Sequence, residues 1–306
     1  MSKRELILKS LNLIVYFAIL GVAFSGHLDQ DKKERDDVYL LQAFYTFQIW
    51  LLNQALLFGF VVYQWFEPAN DVTVEGVSWH NVIAGTLSII WMILAPNEKL
   101  VLLEAFILLA MFIVLFRLYD NLSLYPPRNL ADRLFIHYGF TIYTAWTFYA
   151  TIVNFWIALP SLNTIFSSVV AIVILGIVGL SFVDYHKRHD VVYAGTIAWA
   201  LIGISVEQKD VMPILVASSI SSGLIIGGIL RVWTRNIVTW FRLRSERESP
   251  ISKTQEKSSN QVDEQEWVKF QKLISKETQL SHQIADADEE ELQKDRDEMQ
   301  ERFYKG

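Results

Sequence analysis

The side chains with the most potential for chemistry lie between two apolar stretches. They form a cluster of histidines and carboxylates: Asp184, His186, His189 and Asp190. Imidazole and carboxylate groups are adequate ligands for zinc or iron. Two cations, Lys187 and Arg188, separate the histidines, which suits a charged loop that orients the chain in a membrane. We favour the charged loop over a metal site and predict no bound metal.

A carboxylate and a group of serines are the other candidates for chemistry. Glu104 lies about one turn inside the apolar stretch Leu100 to Phe116. It is either a proton or cation site, or it extends to the lipid headgroups, and we favour the second. Ser218, Ser219, Ser221 and Ser222 precede Gly227 and Gly228 without a nearby His or Lys that could act as a base. We expect these small residues, with Gly176 and Gly179, to permit close helix packing.

Several classes of function are disfavoured. The chain has no P-loop, dinucleotide glycine motif or His-Glu-x-x-His metalloprotease motif. It has no cysteine, which excludes disulfides, thiolate nucleophiles and zinc-thiolate sites. Its net charge of −6 argues against a nucleic-acid partner, because a phosphate backbone requires clustered cations. We predict a protein that is not an enzyme and carries no cofactor.

Apolar stretches dominate the first three quarters of the chain, and the elements that they form must position the polar candidates. Each is close to the ~20 residues that a helix needs to cross a hydrocarbon core of ~30 Å. The predicted crossings are 6–24, 38–63, 77–95, 100–119, 134–159, 164–183, 191–206 and 212–232. We predict an all-α, polytopic membrane bundle of about eight transmembrane helices in residues 1–244, followed by a polar, partly helical tail in residues 245–306.

The tail is acidic, with 10 Lys and Arg against 16 Asp and Glu, whereas residues 1–244 carry 17 of each class. Its polar start predicts a flexible linker. From Asp263 onward, the spacing of Trp267, Phe270 and Ile274 predicts an amphipathic helix with an irregular, coiled-coil-like heptad. This helix, within residues 263–306, either binds a protein partner or is a solvated charged helix.

The positive charges of the short loops predict the orientation. Lys3, Arg4 and Lys9, the loops with Arg128 and Arg188, and the segment after Arg231 fall on one side, so both termini are expected in the cytoplasm. Alternatively, cleavage at Ala23-Phe24-Ser25 would leave seven crossings. No sorting signal identifies the membrane.

Polar residues within the second and third stretches could be functional or structural. Gln42 and Asn53 are eleven residues apart, three helical turns, and on one helix they would share a face. With Gln48, Gln54 and the surrounding aromatics, that face either lines a ligand cavity or supplies interhelical hydrogen bonds. Trp79, His80 and Asn81 are expected to anchor the third helix at the membrane interface.

Three segments resemble a known family. They are Thr46-Phe47-Gln48-Ile49-Trp50 with Val62-Tyr63-Gln64, Phe140 to Trp146 with Ala150 to Asn154, and Arg188-His189-Asp190 with Ala198 to Ile204. In this order, over roughly residues 10–235, they resemble the tryptophan-rich membrane proteins grouped with the tryptophan-rich sensory protein and translocator protein superfamily.

The resemblance implies a ligand. The better-studied five-helix members bind porphyrins and sterols in an aromatic pocket, so a small hydrophobic ligand is expected here, although this chain has more crossings and no Trp-x-Pro loop motif. The matching positions are candidate ligand-binding or helix-contact residues: Phe47, Trp50, Tyr143, Trp146, Asn154 and Trp199. Independently, helical spacing places Tyr143, Trp146 and Asn154 along one side of the fifth helix.

We therefore predict a multi-pass membrane protein that binds, senses or transports a small apolar or amphipathic molecule. Its partners would be membrane lipid and that ligand. The alternative is a membrane-anchored scaffold that acts through its acidic C-terminal helix.

Overall fold

The computed structural model describes residues 2–25, 38–184, 190–257 and 271–276. Their contacts divide the chain into two units, Met1–Arg235 and Asn236–Gly306. The described residues contain helices, turns and irregular segments but no strand. The prediction of an all-α polytopic bundle is confirmed.

Eight α-helices occupy the positions that the apolar stretches predict. They are α1 (Lys3–Phe24), α2 (Gln48–Tyr63), α3 (His80–Leu94), α4 (Val101–Asn121), α5 (Gly139–Ala158), α6 (Ile165–Asp184), α7 (Val191–Glu207) and α8 (Met212–Lys257). Short 3-10 or π-helical turns precede or follow several of them, including Phe44–Phe47 before α2 and Asp132–Tyr138 before α5.

By length and composition, five of the described helices could each cross a membrane. These are α1, α2 with its preceding turn, α4, α6 and the first part of α8, and the bent pair Glu67–Val77 and α3 makes a sixth. The apolar helix α7 has only 17 residues. Helix α5 carries many Thr, Tyr and Trp residues, and the bundle buries more than half of it, so its side chains face protein rather than lipid.

Helix α5 lies between two hydrophobic clusters. Phe140 and Tyr143 belong to a cluster built from α1 to α5, whereas Trp146, Tyr149 and Val153 belong to one built from α5 to α8. Two of its buried threonines donate to carbonyl oxygens one turn earlier in the helix: Thr144 to Phe140 O and Thr151 to Thr147 O, both at 2.7 Å. Helix α5 therefore joins the two halves of the first unit.

The second helix begins later than predicted. Residues 38–43 are not helical, and α2 begins at Gln48 rather than at residue 38. The reason is a long-range backbone bond, because the Ala43 N–H donates to the carbonyl oxygen of Gly203 on α7 at 3.0 Å. Gln42 thus precedes the helix, and the prediction that it shares a helical face with Asn53 is wrong.

A sharp bend of 67° separates the segment Glu67–Val77 from α3. Ser78 makes the bend with φ 49° and ψ −147°, a conformation that normally requires glycine. Beyond the bend, Asn81 is 8% exposed and hydrogen-bonded inside the bundle, so its predicted place among the interface anchors is wrong. Trp79 and His80 remain partly exposed.

Small residues bring α6 and α8 close together, as predicted. A Cβ atom at Gly176 would lie 2.8 Å from the Cβ of Ser221, and one at Gly228 would lie 3.3 Å from Val183 Cγ1. Gly176 and Gly228, with the buried Ser218, Ser221 and Ser222, therefore serve as packing residues. The prediction is wrong for Gly227, where a Cβ atom would meet nothing within 4 Å, and for Ser219, which is exposed.

The described part of the second unit is helical. Helix α8 continues through Lys257, so residues 245–257 are helical where the sequence predicted a linker, and the unit boundary precedes residue 244. Residues 271–276 form a short helix, and the rest of the predicted amphipathic helix lies outside the described residues.

Candidate ligand-binding site

The structure brings together three of the six candidate residues. The ring centroids of Phe47 and Trp146 are 6.0 Å apart in an edge-to-face arrangement. The Trp199 Nε1–H donates to the carbonyl oxygen of Thr46, the neighbour of Phe47, at 3.0 Å. These aromatics join the turn before α2 to α5 and α7.

The hydrogen-bonding groups around these three aromatics are paired. The Tyr149 hydroxyl lies 2.8 Å from the carbonyl oxygen of Leu40 and 2.5 Å from Gln42 Oε1. The Gln208 side-chain amide donates to the carbonyl oxygen of Val38 at 3.3 Å. Irregular backbone within a membrane must be satisfied by protein, and these bonds do so for the carbonyl oxygens of Val38 and Leu40. The aromatic group has the character of a packed helix contact.

The other three candidates lie elsewhere. Asn154 donates to the Ala150 carbonyl oxygen of its own helix at 3.0 Å. Tyr143 packs in the cluster formed by α1 to α5, and Trp50 packs against a small cluster that contains Val15 and Met92. Tyr143 and Trp146 lie three residues apart on α5 but pack in different hydrophobic clusters.

Two buried amides on α2 stand out because no described residue donates a hydrogen bond to their oxygens. Asn53 and Gln54 are 3% and 6% exposed, and within the described residues Asn53 Oδ1 and Gln54 Oε1 accept no hydrogen bond. They follow Trp50 by three and four residues, which places all three side chains on one face of the helix. An unpaired polar atom at such a position is rare in native proteins.

Neighbouring helices place aromatic side chains at the level of these amides. Helices α2 and α5 run antiparallel, with Leu56 beside Gly139 near one end and Phe47 beside Trp146 near the other. Asn53 lies between these two contacts, so residues 140–143 of α5 are at the same height along the helix pair. Tyr143 is buried here, with its hydroxyl 3.8 Å from Met111 Sδ on α4.

Helix α3 contributes an unpaired donor. Trp91 packs against the cluster that contains Tyr143 and also against the cluster that Trp50 contacts. Its buried indole Nε1–H has no acceptor in the described part of the chain. We call Trp50, Asn53, Gln54, Trp91 and Tyr143 together the α2 site.

Near the opposite end of α2, a second group of polar side chains is hydrogen-bonded within the protein. Asn12 donates to Gln64 Oε1 at 3.0 Å and accepts from the Asn81 side chain at 3.0 Å. Gln64 in turn donates to the Lys9 carbonyl oxygen, and the Lys9 ammonium donates to Asn70 Oδ1 at 2.8 Å. This network ties α1, α2 and α3 together.

The remaining groups considered for chemistry are Glu104 and the cluster around Asp190. Glu104 is 1% exposed inside the bundle, so the expectation that it extends to the headgroups is wrong. Asp190 caps α7 by accepting from the backbone N–H groups of Val192 and Tyr193, and it also accepts from the Tyr119 hydroxyl at 2.8 Å. His186 and His189 lie outside the described residues, and the described residues contain no group of three potential metal ligands.

A comparison with protein families matches residues 6–231 to a family model described as TSPO-like protein. The chain belongs to the TSPO-like family. Comparisons with curated proteins and with solved structures gave no match. The match covers α1 to α7 and most of the crossing part of α8, so the TSPO-like region contains both the aromatic group and the α2 site. The chain is therefore a multi-pass membrane protein.

Sequence patterns found part of the α2 site. Trp50 and Tyr143 are candidates by resemblance, and Asn53 and Gln54 are recognisable as polar residues within an apolar helix. The stripe Trp50, Asn53, Gln54 and Leu57 follows the helical spacing of a buried face, which could have grouped them. Trp91 had no such signal, since its proximity depends on how α3 packs.

Proposed function

We propose that this protein binds a small apolar or amphipathic molecule in the α2 site, through a hydroxyl or N–H group of the ligand. The observation that carries the proposal is the pair of buried amide oxygens, Asn53 Oδ1 and Gln54 Oε1, which accept no hydrogen bond from the described residues.

The energetic argument concerns these two acceptors. A buried polar atom without a partner costs about 1–3 kcal/mol, and lipid offers no water to relieve it. A ligand that donates to one or both oxygens would recover part of this cost on binding. A chain with two such atoms on one helical face is therefore suited to a donor-bearing ligand.

The aromatic side chains define the rest of the ligand. Trp50, Trp91 and Tyr143 offer ring faces and edges that suit a planar or ring-containing apolar body. The Trp91 Nε1–H can donate to an acceptor on the same molecule. The expected ligand is thus a compact apolar ring system with a donor at one end, a chemistry consistent with the small hydrophobic ligands that the family resemblance implies.

Binding could serve sensing or transport, and we propose no chemical reaction at the site. We also propose that both termini face the cytoplasm. If each of the eight helices crosses once, the arginines in the second half of α8 and the lysines at the start of α1 fall on the same side of the membrane. The alternative scaffold function depends on residues 263–306, of which the structure describes only 271–276.

Co-purification tests the proposal directly. The protein is purified in mild detergent and bound small molecules are identified by mass spectrometry, for the unchanged chain and for Asn53→Leu and Gln54→Leu. Gln48→Leu is the matched control, because Gln48 is an exposed amide on the same helix.

We expect a donor-bearing molecule to accompany the unchanged chain and the Gln48→Leu variant and to be depleted about tenfold in the two site variants, as the loss of a buried hydrogen bond of about 1.4 kcal/mol predicts. Equal recovery from all four proteins would contradict the proposal.

A further inference from the structure

The first helix buries a lysine inside the membrane domain. Lys9 lies about 9 Å along α1 from its first residue, Lys3, at the helical rise per residue, and its side chain is 3% exposed. Removing an ammonium group from water is costly, so buried charges in proteins are normally paired with an opposite charge. The groups around Lys9 therefore indicate whether its counterion belongs to the protein.

The Lys9 ammonium makes its hydrogen bond to a neutral group. It donates to Asn70 Oδ1 at 2.8 Å, on the segment between α2 and α3. An ammonium group has three N–H donors, so two are left for other acceptors. Within the part of the chain that the structure describes, no carboxylate forms an ion pair with Lys9. A neutral amide thus lies where a counterion is expected.

The carboxylates nearest in sequence to these two residues have other surroundings. Glu5, one turn earlier on α1, accepts from the Ser2 backbone N–H at 2.9 Å, and its coulombic attraction to Lys9 is weaker than its hydrogen bonds with Ser2. Asp71, the neighbour of Asn70, pairs with Arg128 at 3.2 Å. Glu67 on the same segment is exposed. The ammonium group therefore retains its need for an anion.

A buried hydroxyl group, three residues beyond Asn70, is an independent observation. Thr73 is 0% exposed, and its Oγ1 has no hydrogen-bond partner among the described residues. Thr144 and Thr196, in regular helices, donate instead to the carbonyl oxygen four residues earlier. Thr73 lies in the π-helical turn Val72–Val77, a geometry that is frequent at functional sites. Its hydroxyl group is available to a ligand.

We propose that Lys9, Asn70 and Thr73 bind a phosphate-bearing anion, and we call these three residues the Lys9 site. Phosphate oxygens accept hydrogen bonds from ammonium, amide and hydroxyl groups, and those from a charged donor are the strongest. The negative charge of the phosphate supplies the counterion that Lys9 lacks. Binding requires the segment Glu67–Val77, which the bend at Ser78 joins to α3, to move away from α1 and admit the anion.

The Lys9 site lies at the level where α2 ends. Gln64, the C-cap residue of α2, donates to the Lys9 carbonyl oxygen at 3.1 Å. The end of a crossing helix is close to the phosphate groups of one lipid leaflet. An acidic lipid headgroup and a free phosphate ion are therefore the two sources of this chemistry. Gln64 is about 15 Å along α2 from Gln54, so the Lys9 site is separate from the α2 site.

Native mass spectrometry of the full-length protein in neutral detergent tests the proposal. Phosphatidic acid is titrated, with phosphatidylcholine of the same acyl chains as the zwitterionic reference, and inorganic phosphate is then added as a competitor. We expect phosphatidic acid to bind more tightly than phosphatidylcholine. Competition by inorganic phosphate would identify a site for the free ion, and binding without competition would identify a site for the lipid headgroup.

Substitutions identify the residues responsible. Lys9→Met should weaken the binding of phosphatidic acid about 10- to 100-fold, as expected for the loss of a hydrogen bond from a charged donor, whereas Lys3→Met, an equal charge change at an exposed position of α1, should leave it unchanged. Thr73→Val should weaken binding about tenfold. Its control is Thr196→Val, which removes a buried hydroxyl group that donates within its own helix.

Asn70→Asp distinguishes a binding site from a lysine that only stabilises the fold. The new carboxylate lies beside the ammonium group and supplies the counterion internally. This variant should retain the thermal stability of the ligand-free protein and lose at least about tenfold in affinity for phosphatidic acid, because the anion now meets a neutralised lysine.

Several results would overturn the proposal. They are equal affinities of Lys9→Met and Lys3→Met for phosphatidic acid, equal affinities of Thr73→Val and Thr196→Val, an unchanged affinity in Asn70→Asp, or binding of neither phosphatidic acid nor inorganic phosphate to the unchanged chain. If circular dichroism shows that Lys9→Met does not fold, Thr73→Val and Asn70→Asp decide the outcome.

Discussion

The same substitution at two buried asparagines should destabilise the protein at one position and not at the other. Asn12 on α1 and Asn53 on α2 are 0% and 3% exposed, and replacing either by Leu exchanges an amide for an apolar group of similar size. They differ in pairing. Asn12 makes two side-chain hydrogen bonds, whereas Asn53 Oδ1 makes none within the described residues.

The magnitudes follow from the bonds that are lost. Asn12→Leu leaves Gln64 Oε1 without its Asn12 donor and the Asn81 side chain without its Asn12 acceptor. Hydrogen bonds between membrane helices are worth about 0.6 to 2 kcal/mol each, so the two together predict a loss of about 1–4 kcal/mol. Asn53→Leu removes an unpaired acceptor, and we expect the free energy of unfolding of the ligand-free protein to be unchanged or raised by about 1 kcal/mol.

Unfolding in mixed micelles with increasing dodecyl sulfate, followed by tryptophan fluorescence and circular dichroism, measures both variants against the unchanged protein. Stability should rank Asn53→Leu at or above the unchanged protein, and Asn12→Leu clearly below it. The bound molecule must be removed beforehand, because binding stabilises the folded state. Equal destabilisation by the two variants would refute the distinction between the paired network and the α2 site.

Three further predictions concern packing and the irregular segments. Gly203→Ala should lower the free energy of unfolding by about 1–3 kcal/mol, because a Cβ atom there would lie 2.9 Å from Gln42 Cβ and closer still to Thr46. Gly195→Ala on the same helix is the control: its Cβ atom would meet nothing within 4 Å, so this variant should be neutral or stabilising in the same thermal unfolding measurement. Tyr149→Phe should cost about 1–3 kcal/mol in micellar unfolding by removing the donor to residues 38–43, and no loss would contradict the role of that bond. Ser78→Gly should raise the melting temperature by relieving about 1–3 kcal/mol of backbone strain, and a decrease would show that the bend needs the serine side chain.

The positions of the helices could be predicted because apolar length is a local property. Stretches such as 100–119 and 164–183 appear in the structure as α4 and α6 with ends shifted by a few residues. The glycines of α6 were likewise predictable as packing residues, since small side chains within an apolar helix have few other uses. Local composition determined these features.

The start of α2 could not be predicted, because it depends on distant parts of the chain. The residues from Val38 to Ala43 are apolar enough to extend the helix, but their backbone groups bond to Gly203, Gln208 and Tyr149, more than 100 residues away. Glu104 was misjudged for a similar reason. Nothing near it in sequence indicates that neighbouring helices bury its side chain.

The amides of α2 show how identical chemistry acquires different roles. Gln54 lies within α2 and Gln64 is its C-cap residue; both are buried, and nothing in the adjacent sequence distinguishes their roles. Opposite Gln64, α1 and α3 present Asn12 and Asn81, so its amide is paired and ties three helices together. At the level of Gln54 the chain presents aromatic and thioether groups instead, and the Tyr16 hydroxyl there donates to the backbone carbonyl of Gln54 rather than to its side chain. The neighbouring side chains therefore decide whether a buried amide is hydrogen-bonded within the protein or keeps an acceptor for a ligand. For this reason ligand binding and stability should be measured on the same substitutions.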